Sequence, residues 1–197
     1  MKPAAILDIG SSKIVCLCGS SIHTDGILVH GVGICDYAGF ESDEFLDMAS
    51  LGEAVLTAIE SAEQQSCMRI REVALAVPAP FVKLITTRAT LRIESRNGRV
   101  TVQDIDDVIS MSLEKARAPG HVLMHSTPIS FTVGGIERAA VPEGARADEL
   151  SAEVSHMYVQ ETFVQQMERI LASMNVEISM CVSAQLATAI HIIPEQE

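Results

Sequence analysis

The residues best suited to chemistry lie together near the start of the chain, in Leu7-Asp8-Ile9-Gly10-Ser11-Ser12-Lys13. Asp8 closes a short apolar run, and a glycine and two small hydroxyl residues follow it in what reads as a tight bend. A carboxylate at the end of a buried strand, beside such a bend, is one way to hold phosphate together with a metal. Glycine lets the backbone approach a ligand closely, and successive N–H groups of the bend can face an anion. Asp8 can hold Mg²⁺ through water, because that ion gives up its hydration shell reluctantly. Lys13 adds positive charge beside the phosphates. Residue types alone leave a second reading open, an ordinary hairpin turn with a surface lysine.

The remaining reactive side chains suggest less. His121 and His125 lie four apart but follow Pro119-Gly120, so a loop and a strand are expected there rather than the helical spacing of a metal pair. His23, His30, His156 and His191 stand alone. Asp104, Asp106 and Asp107 fall at a helix start, where the helix dipole favours negative charge without any metal. The five cysteines are odd in number and sparse, which argues for reduced core residues rather than a disulfide framework. Met167, Met174 and Met180 read as core. No serine has a histidine and aspartate set that suggests a hydrolase.

The elements that must position the bend can be read from hydrophobic spacing. Ala4–Leu7 and Ile14–Cys18 are short apolar strands on either side of it, and Thr24-Asp25-Gly26 leads to a third strand, Ile27 to Cys35, containing two glycines. Leu51, Ala54, Val55, Ala58, Ile59 and Ala62 form one helical face, with Ser50 and Glu53 as its expected capping box. Glu72 to Val77 is a buried strand. Pro78-Ala79-Pro80 then forces a change of direction.

Beyond it the composition shifts. Lys83, Arg88, Arg92, Arg96 and Arg99 make a basic stretch in an acidic chain. Alternation places Arg88, Thr90, Arg92 and Glu94 on one strand face, with Ala89, Leu91 and Ile93 on the other. After Asn97-Gly98 comes a helix with Thr101 and Asp104 as its cap. Val122 to Val133 reads as a strand pair or as one strand bent at Pro128, and Glu149 to Val159 as another strand. A helix from Glu161 to Met174, a strand from Val176 to Val182 and a helical stretch from Ser183 to about Ile193 complete the chain.

Composition excludes several classes. The chain has 197 residues, 48% hydrophobic and 20% charged, enough to bury a core. Its net charge of −12 argues against sequence-blind nucleic-acid binding. With five Phe, two Tyr and no Trp, it offers little for base stacking. The longest apolar run is broken by Pro78 and Pro80, and the N-terminal apolar stretch is too short for a signal peptide, so a cytoplasmic location is expected.

The segment Ile6–Lys13 resembles the first phosphate motif of the actin, Hsp70 and sugar-kinase superfamily. Within it the chain is most similar to the N-terminal half of FtsA, a family of bacterial actin-like cell-division proteins. The likeness runs through Gly31-Val32-Gly33, Val73–Val77, Val102–Ile109, and Val122–His125 with Pro128. It implies an α/β fold: an actin-like subdomain 1A over residues 1–79 and 158–197, interrupted by an SHS2-type α+β subdomain, 1C, over 80–157. It also implies that Asp8 organises the metal while Gly10, Ser11, Ser12 and Lys13 cradle the β- and γ-phosphates of ATP. The family's second phosphate motif and adenosine pocket are expected beyond Glu197, so this stretch by itself is expected to hold ATP and Mg²⁺ weakly and to show little or no ATPase activity.

Subdomain 1C is the family's interaction module, for contacts between copies and for recruiting later division proteins. Here the outward face carrying Arg88 and Arg92 is the expected interaction surface, with plain protection of a sheet edge as the other reading. The resemblance places FtsZ binding and a membrane-attaching terminal helix outside these residues, and the whole protein at the cytoplasmic face of the inner membrane. A pilus-assembly adaptor of the PilM type has the same two-part layout and is the alternative. A sugar kinase of the same superfamily is disfavoured by the insertion after Val77.

Overall fold

The computed structural model describes residues 4–22, 26–94 and 97–192. His23, the Thr24-Asp25 turn, Arg96 and Ile193 lie outside them. The chain divides into two compact units: one up to Val82 and again from Val159 onward, the other Lys83–Tyr158.

In the first unit, alternation drives the sheet. Along β1 (Ala4–Ile9), Ala5, Leu7 and Ile9 are buried, and Ile14, Cys16 and Cys18 repeat the pattern along β2 (Lys13–Ile22). Pairing is antiparallel, with Leu7 opposite Cys16 and Ile9 opposite Ile14, so these side chains share one face. β3 (Gly26–Asp36) continues the meander, and β6 (Glu72–Val77) and β11 (Glu177–Ser183) add on the other side of β1 in parallel, giving the order β11-β6-β1-β2-β3. A two-residue hairpin, β4 (Phe40–Glu41) and β5 (Glu44–Phe45), follows β3.

Helix α1 (Met48–Ser66) buries the face read from the sequence, Leu51 through Ala62. Its cap differs from expectation. Asp47 accepts from the N–H groups of Ala49 and Ser50, at 2.8 and 3.2 Å, whereas the Ser50 hydroxyl accepts from the Ala38 N–H. A carboxylate one position before the helix serves the free first-turn N–H groups directly, and Ser50 is already inside the helix. The helix ends where Cys67 turns left-handed, at φ 55°.

The glycines of β3 have a packing reason. A Cβ on Gly33 would stand 1.8 Å from the Ala58 carbonyl oxygen, and one on Gly31 would stand 2.3 Å from that of Ala62. The backbone of α1 therefore lies directly on the strand, where no side chain fits. Helix α3 (Glu161–Ala172) buries Phe163, Met167 and Leu171 at four-residue spacing. A short 3-10 turn, Ala79–Phe81, places Phe81 against Phe163, with ring centroids 4.7 Å apart. The last described element is α4 (Ala184–Ile192).

The second unit is a four-stranded sheet with one helix. β7 (Val82–Arg92), β8 (His121–Val133), β9 (Ile136–Arg138) and β10 (Glu149–Gln160) lie in the order β7-β10-β8-β9. Helix α2 (Val102–Lys115) starts at the reciprocal Thr101–Asp104 capping box that its sequence predicts. Ile105 and Val108 of α2 pack with Ala89, Phe131, Leu150, Ala152 and Val154 in the core. β8 is one strand through Pro128. β9 pairs only with Phe131–Val133, so the proline's missing N–H falls where no β9 ladder runs.

His156 is fully buried in this unit. Its Nδ1 lies 2.8 Å from the Ser126 hydroxyl, and its Nε2 lies 3.1 Å from those of Ser112 and Thr87. Burial lowers its pKa from the ordinary 6.5. This clasp joins α2, β7, β8 and β10. The sequence hides it, because its four members are scattered over seventy residues of chain.

Candidate functional site

The turn between β1 and β2 is closed by one backbone bond, from the Gly10 N–H to the Lys13 carbonyl at 3.0 Å. A Cβ on Gly10 would lie 2.8 Å from that same oxygen, so the bend requires glycine for space. Ser11, Ser12 and Lys13 are exposed, and Asp8 is half-buried at the end of β1. Its backbone sits between Val15 of β2 and Ala76 of β6, in the middle of the sheet.

Among the described residues, no hydrogen bond uses the N–H of Ser11 or Ser12, and no side-chain hydrogen bond or ion pair engages the Asp8 carboxylate. Burial raises the pKa of Asp8 from its ordinary 3.8, and the Lys13 ammonium opposes the rise. The turn thus presents two unpaired amides, a lysine and an unpaired carboxylate at one end of a rigid sheet. This donor set fits an anion held by backbone N–H groups, with a cation held through the carboxylate.

Sequence reading missed the support behind the turn. The N–H of Tyr37 donates to the Ser12 carbonyl at 3.0 Å, and its hydroxyl donates to that of Gly10 at 2.7 Å. Gly39, at φ 87°, passes so close to the Ser11 carbonyl that a Cβ would stand 2.3 Å from it. Burial pushes the Tyr37 phenol up to about 12. The nearest sequence signal is Gly39 itself, which offers the positive φ that a close backbone crossing needs.

In the second unit, Arg88 and Arg92 are exposed on β7, an edge strand, as the alternation implies, while Ala89 is buried. Arg88 is engaged within the sheet: its guanidinium lies 3.0 Å from Glu153 on β10 and 3.9 Å from Glu137 on β9. Arg92 lines an open groove of about 770 Å³ with Thr132, Gly134, Asp148, Glu149 and Ser151.

The other sequence candidates do not assemble. No group of three metal-ligating side chains occurs among the described residues. His121 and His125 both lie on β8. Cys16 and Cys18 are buried, but Cys67 is exposed and Cys35 and Cys181 are only partly covered, against the expectation of five core thiols. Met167 is core, whereas Met180 is exposed, because β11 is an edge strand with a register shift beside it.

Residues 81–158 match the family model of the SHS2 domain inserted in FtsA. Over 192 residues the chain is 24% identical to cell division protein FtsA of Pseudomonas aeruginosa, covering 97% of this chain and 45% of that protein. Residues 81–158 thus carry an SHS2 domain of the FtsA type, and the chain is similar to FtsA proteins over nearly its whole length. FtsA of Escherichia coli K12 is 21% identical over 191 residues, 97% of this chain and 45% of that protein. The chain therefore spans less than half the length of these FtsA relatives.

Among solved structures, a chain of the PilM–PilN type IV pilus biogenesis complex superposes with a TM-score of 0.61 at 14% identity, over 95% of this chain and 49% of that one. That likeness shows the fold, and the fold is α/β, actin-like, with an inserted SHS2 domain. Among the described residues no helix is long and apolar enough to cross a membrane.

Proposed function

We propose that this chain supplies the first phosphate turn and the interaction module of an FtsA-type division protein, one that binds ATP with Mg²⁺, self-associates and links the FtsZ ring to the inner membrane. The observation that carries the nucleotide part is the pair of unpaired amides at Ser11 and Ser12 beside the Asp8 carboxylate. Gly10 gives the bend its tightness, and Lys13 contributes charge toward the phosphates. Asp8 would hold the metal, whose role is to neutralise phosphate charge. One turn grips only one side of a nucleotide, so affinity from these residues is weak and the role is assembly rather than turnover.

The test is an amide chemical-shift titration of the whole 197-residue chain with Mg-ATP and with Mg-pyrophosphate. Ser11, Ser12 and Lys13 should move first, and Asp8→Asn and Lys13→Ala should weaken the response. Unmoved amides at millimolar ligand would remove the nucleotide reading.

For the interaction module, the face bearing Arg88 and Arg92 is positioned for acidic segments of a second copy or of a later division protein. Oppositely charged faces steer approach. Arg88→Glu with Arg92→Glu should weaken self-association measured by sedimentation. Unchanged association would leave the two arginines as edge protection. Binding to the cytoplasmic peptide of a pilus inner-membrane partner, with none to division proteins, would favour the PilM-type role instead.

A further inference from the structure

In a trans peptide the carbonyl and the following N–H point in opposite directions. Whatever holds the carbonyls of a turn therefore aims its amides. In this chain the Gly10, Ser11 and Ser12 carbonyls all face one strap, Tyr37 to Gly39. The Gly10 oxygen takes the Tyr37 hydroxyl, the Ser11 oxygen meets the Gly39 backbone, and the Ser12 oxygen takes the Tyr37 N–H. The amides paired with the first two carbonyls, those of Ser11 and Ser12, are directed away from the strap and have no partner within the described chain.

The Tyr37 hydroxyl also occupies an acceptor with another natural donor. In a two-residue hairpin the first carbonyl usually receives the N–H three residues on, which here would be Lys13. That bond is absent, and the phenol stands in for it.

The strap is itself anchored. The Tyr37 ring lies 6.4 Å from Phe45, which stacks on Phe81 and Phe163 at 5.1 and 5.8 Å. Phe81 and Phe163 are fully buried. Four of the five phenylalanines, Phe40 included, thus gather behind one tyrosine.

We propose that Tyr37 is a positioning residue for the phosphate turn: its hydroxyl holds the Gly10 carbonyl and so keeps the Ser11 amide aimed at an incoming phosphate, while Gly39 of the same strap backs the Ser11 carbonyl and with it the Ser12 amide. This rests on the phosphate reading given above. Tyr37 does not touch the ligand. Its hydroxyl sets the direction of the Ser11 amide, which does.

The experiment compares the whole chain with its Tyr37→Phe variant, which keeps the ring and the backbone N–H and loses only the O–H bond. Mg-pyrophosphate binding is followed through the Ser11 and Ser12 amide shifts, and the urea midpoint is measured alongside. The expected result is a three- to tenfold weaker dissociation constant with a nearly unchanged midpoint and spectral changes confined to the turn. Wild-type affinity in the variant would overturn the role of Tyr37 while leaving the phosphate reading standing. A large midpoint loss with shifts throughout the first unit would make Tyr37 a plain packing residue and overturn the proposal. Failure of the wild-type amides to respond at all would refute the phosphate reading itself.

Discussion

Gly33→Ala and Gly52→Ala introduce the same methyl group and should act in opposite directions. At Gly33 the new Cβ would stand 1.8 Å from the Ala58 oxygen and 2.7 Å from its carbonyl carbon. Ordinary contact lies near 3.5 Å, so α1 would have to retreat by on the order of 1.5 Å. The obstruction is helix backbone and no rotamer change can relieve it. The helix buries Leu51, Ala54, Val55, Ala58, Ile59 and Ala62 against the sheet, and all six would loosen together. Overpacking typically costs about 1–3 kcal/mol, and a rigid blocker puts this case at about 3 kcal/mol or beyond.

At Gly52, inside the same helix, an added Cβ meets nothing within 4 Å. There the substitution should stabilise by about 0.4–1 kcal/mol, through the lost freedom of the unfolded chain and better helix propensity. Urea unfolding reads both. With m near 2 kcal/mol/M, Gly33→Ala should lower the midpoint by about 1.5 M, and Gly52→Ala should raise it by a few tenths. A Gly33→Ala midpoint within about 0.2 M of wild type would refute the close approach of α1 to β3.

The buried histidine predicts a pH effect in the SHS2 domain. Its native pKa lies below 6.5, so the unfolded chain takes up a proton there that the folded clasp does not. Thermal stability of that domain should therefore fall as pH drops below 6.5 and level off below the native value, and His156→Leu should flatten the slope; an unchanged slope would show that other groups dominate. Both tyrosines should ionise late when absorbance is followed at 295 nm, with Tyr37 near pH 12 and Tyr158 above its ordinary 10. Because the unfolded phenols lose their protons first, stability should decline from pH 10 upward, and a normal phenol titration in the folded chain would contradict their burial. Iodoacetamide at pH 8 should label Cys67 first and spare Cys16, whose thiol burial pushes up to about 12; equal rates would show that the sheet opens readily.

Local spacing carried most of the elements. The period of two along Ala5, Leu7 and Ile9, and the helical period from Leu51 to Ala62, each follow from burying one face, which is a property of the residues in order. The cap of α1 was misread because Ser50 with Glu53 and Asp47 are both chemically competent caps. Only the position of the first helical turn chooses between them. The two glycines of β3 are visible in the sequence, but the reason for them lies in a helix about twenty-five to thirty residues further on.

The candidate turn divides in the same way. Asp8, Gly10, Ser11, Ser12 and Lys13 are contiguous, so their types could be read together as a place for an anion and a cation. The direction in which the amides point is decided by Tyr37 and Gly39, and by an aromatic cluster drawn from residues 40, 45, 81 and 163. A linear sequence shows which groups a segment owns. Hydrogen bonds and ring contacts between distant segments form only when the chain closes on itself, so the aim of those groups belongs to the tertiary structure alone.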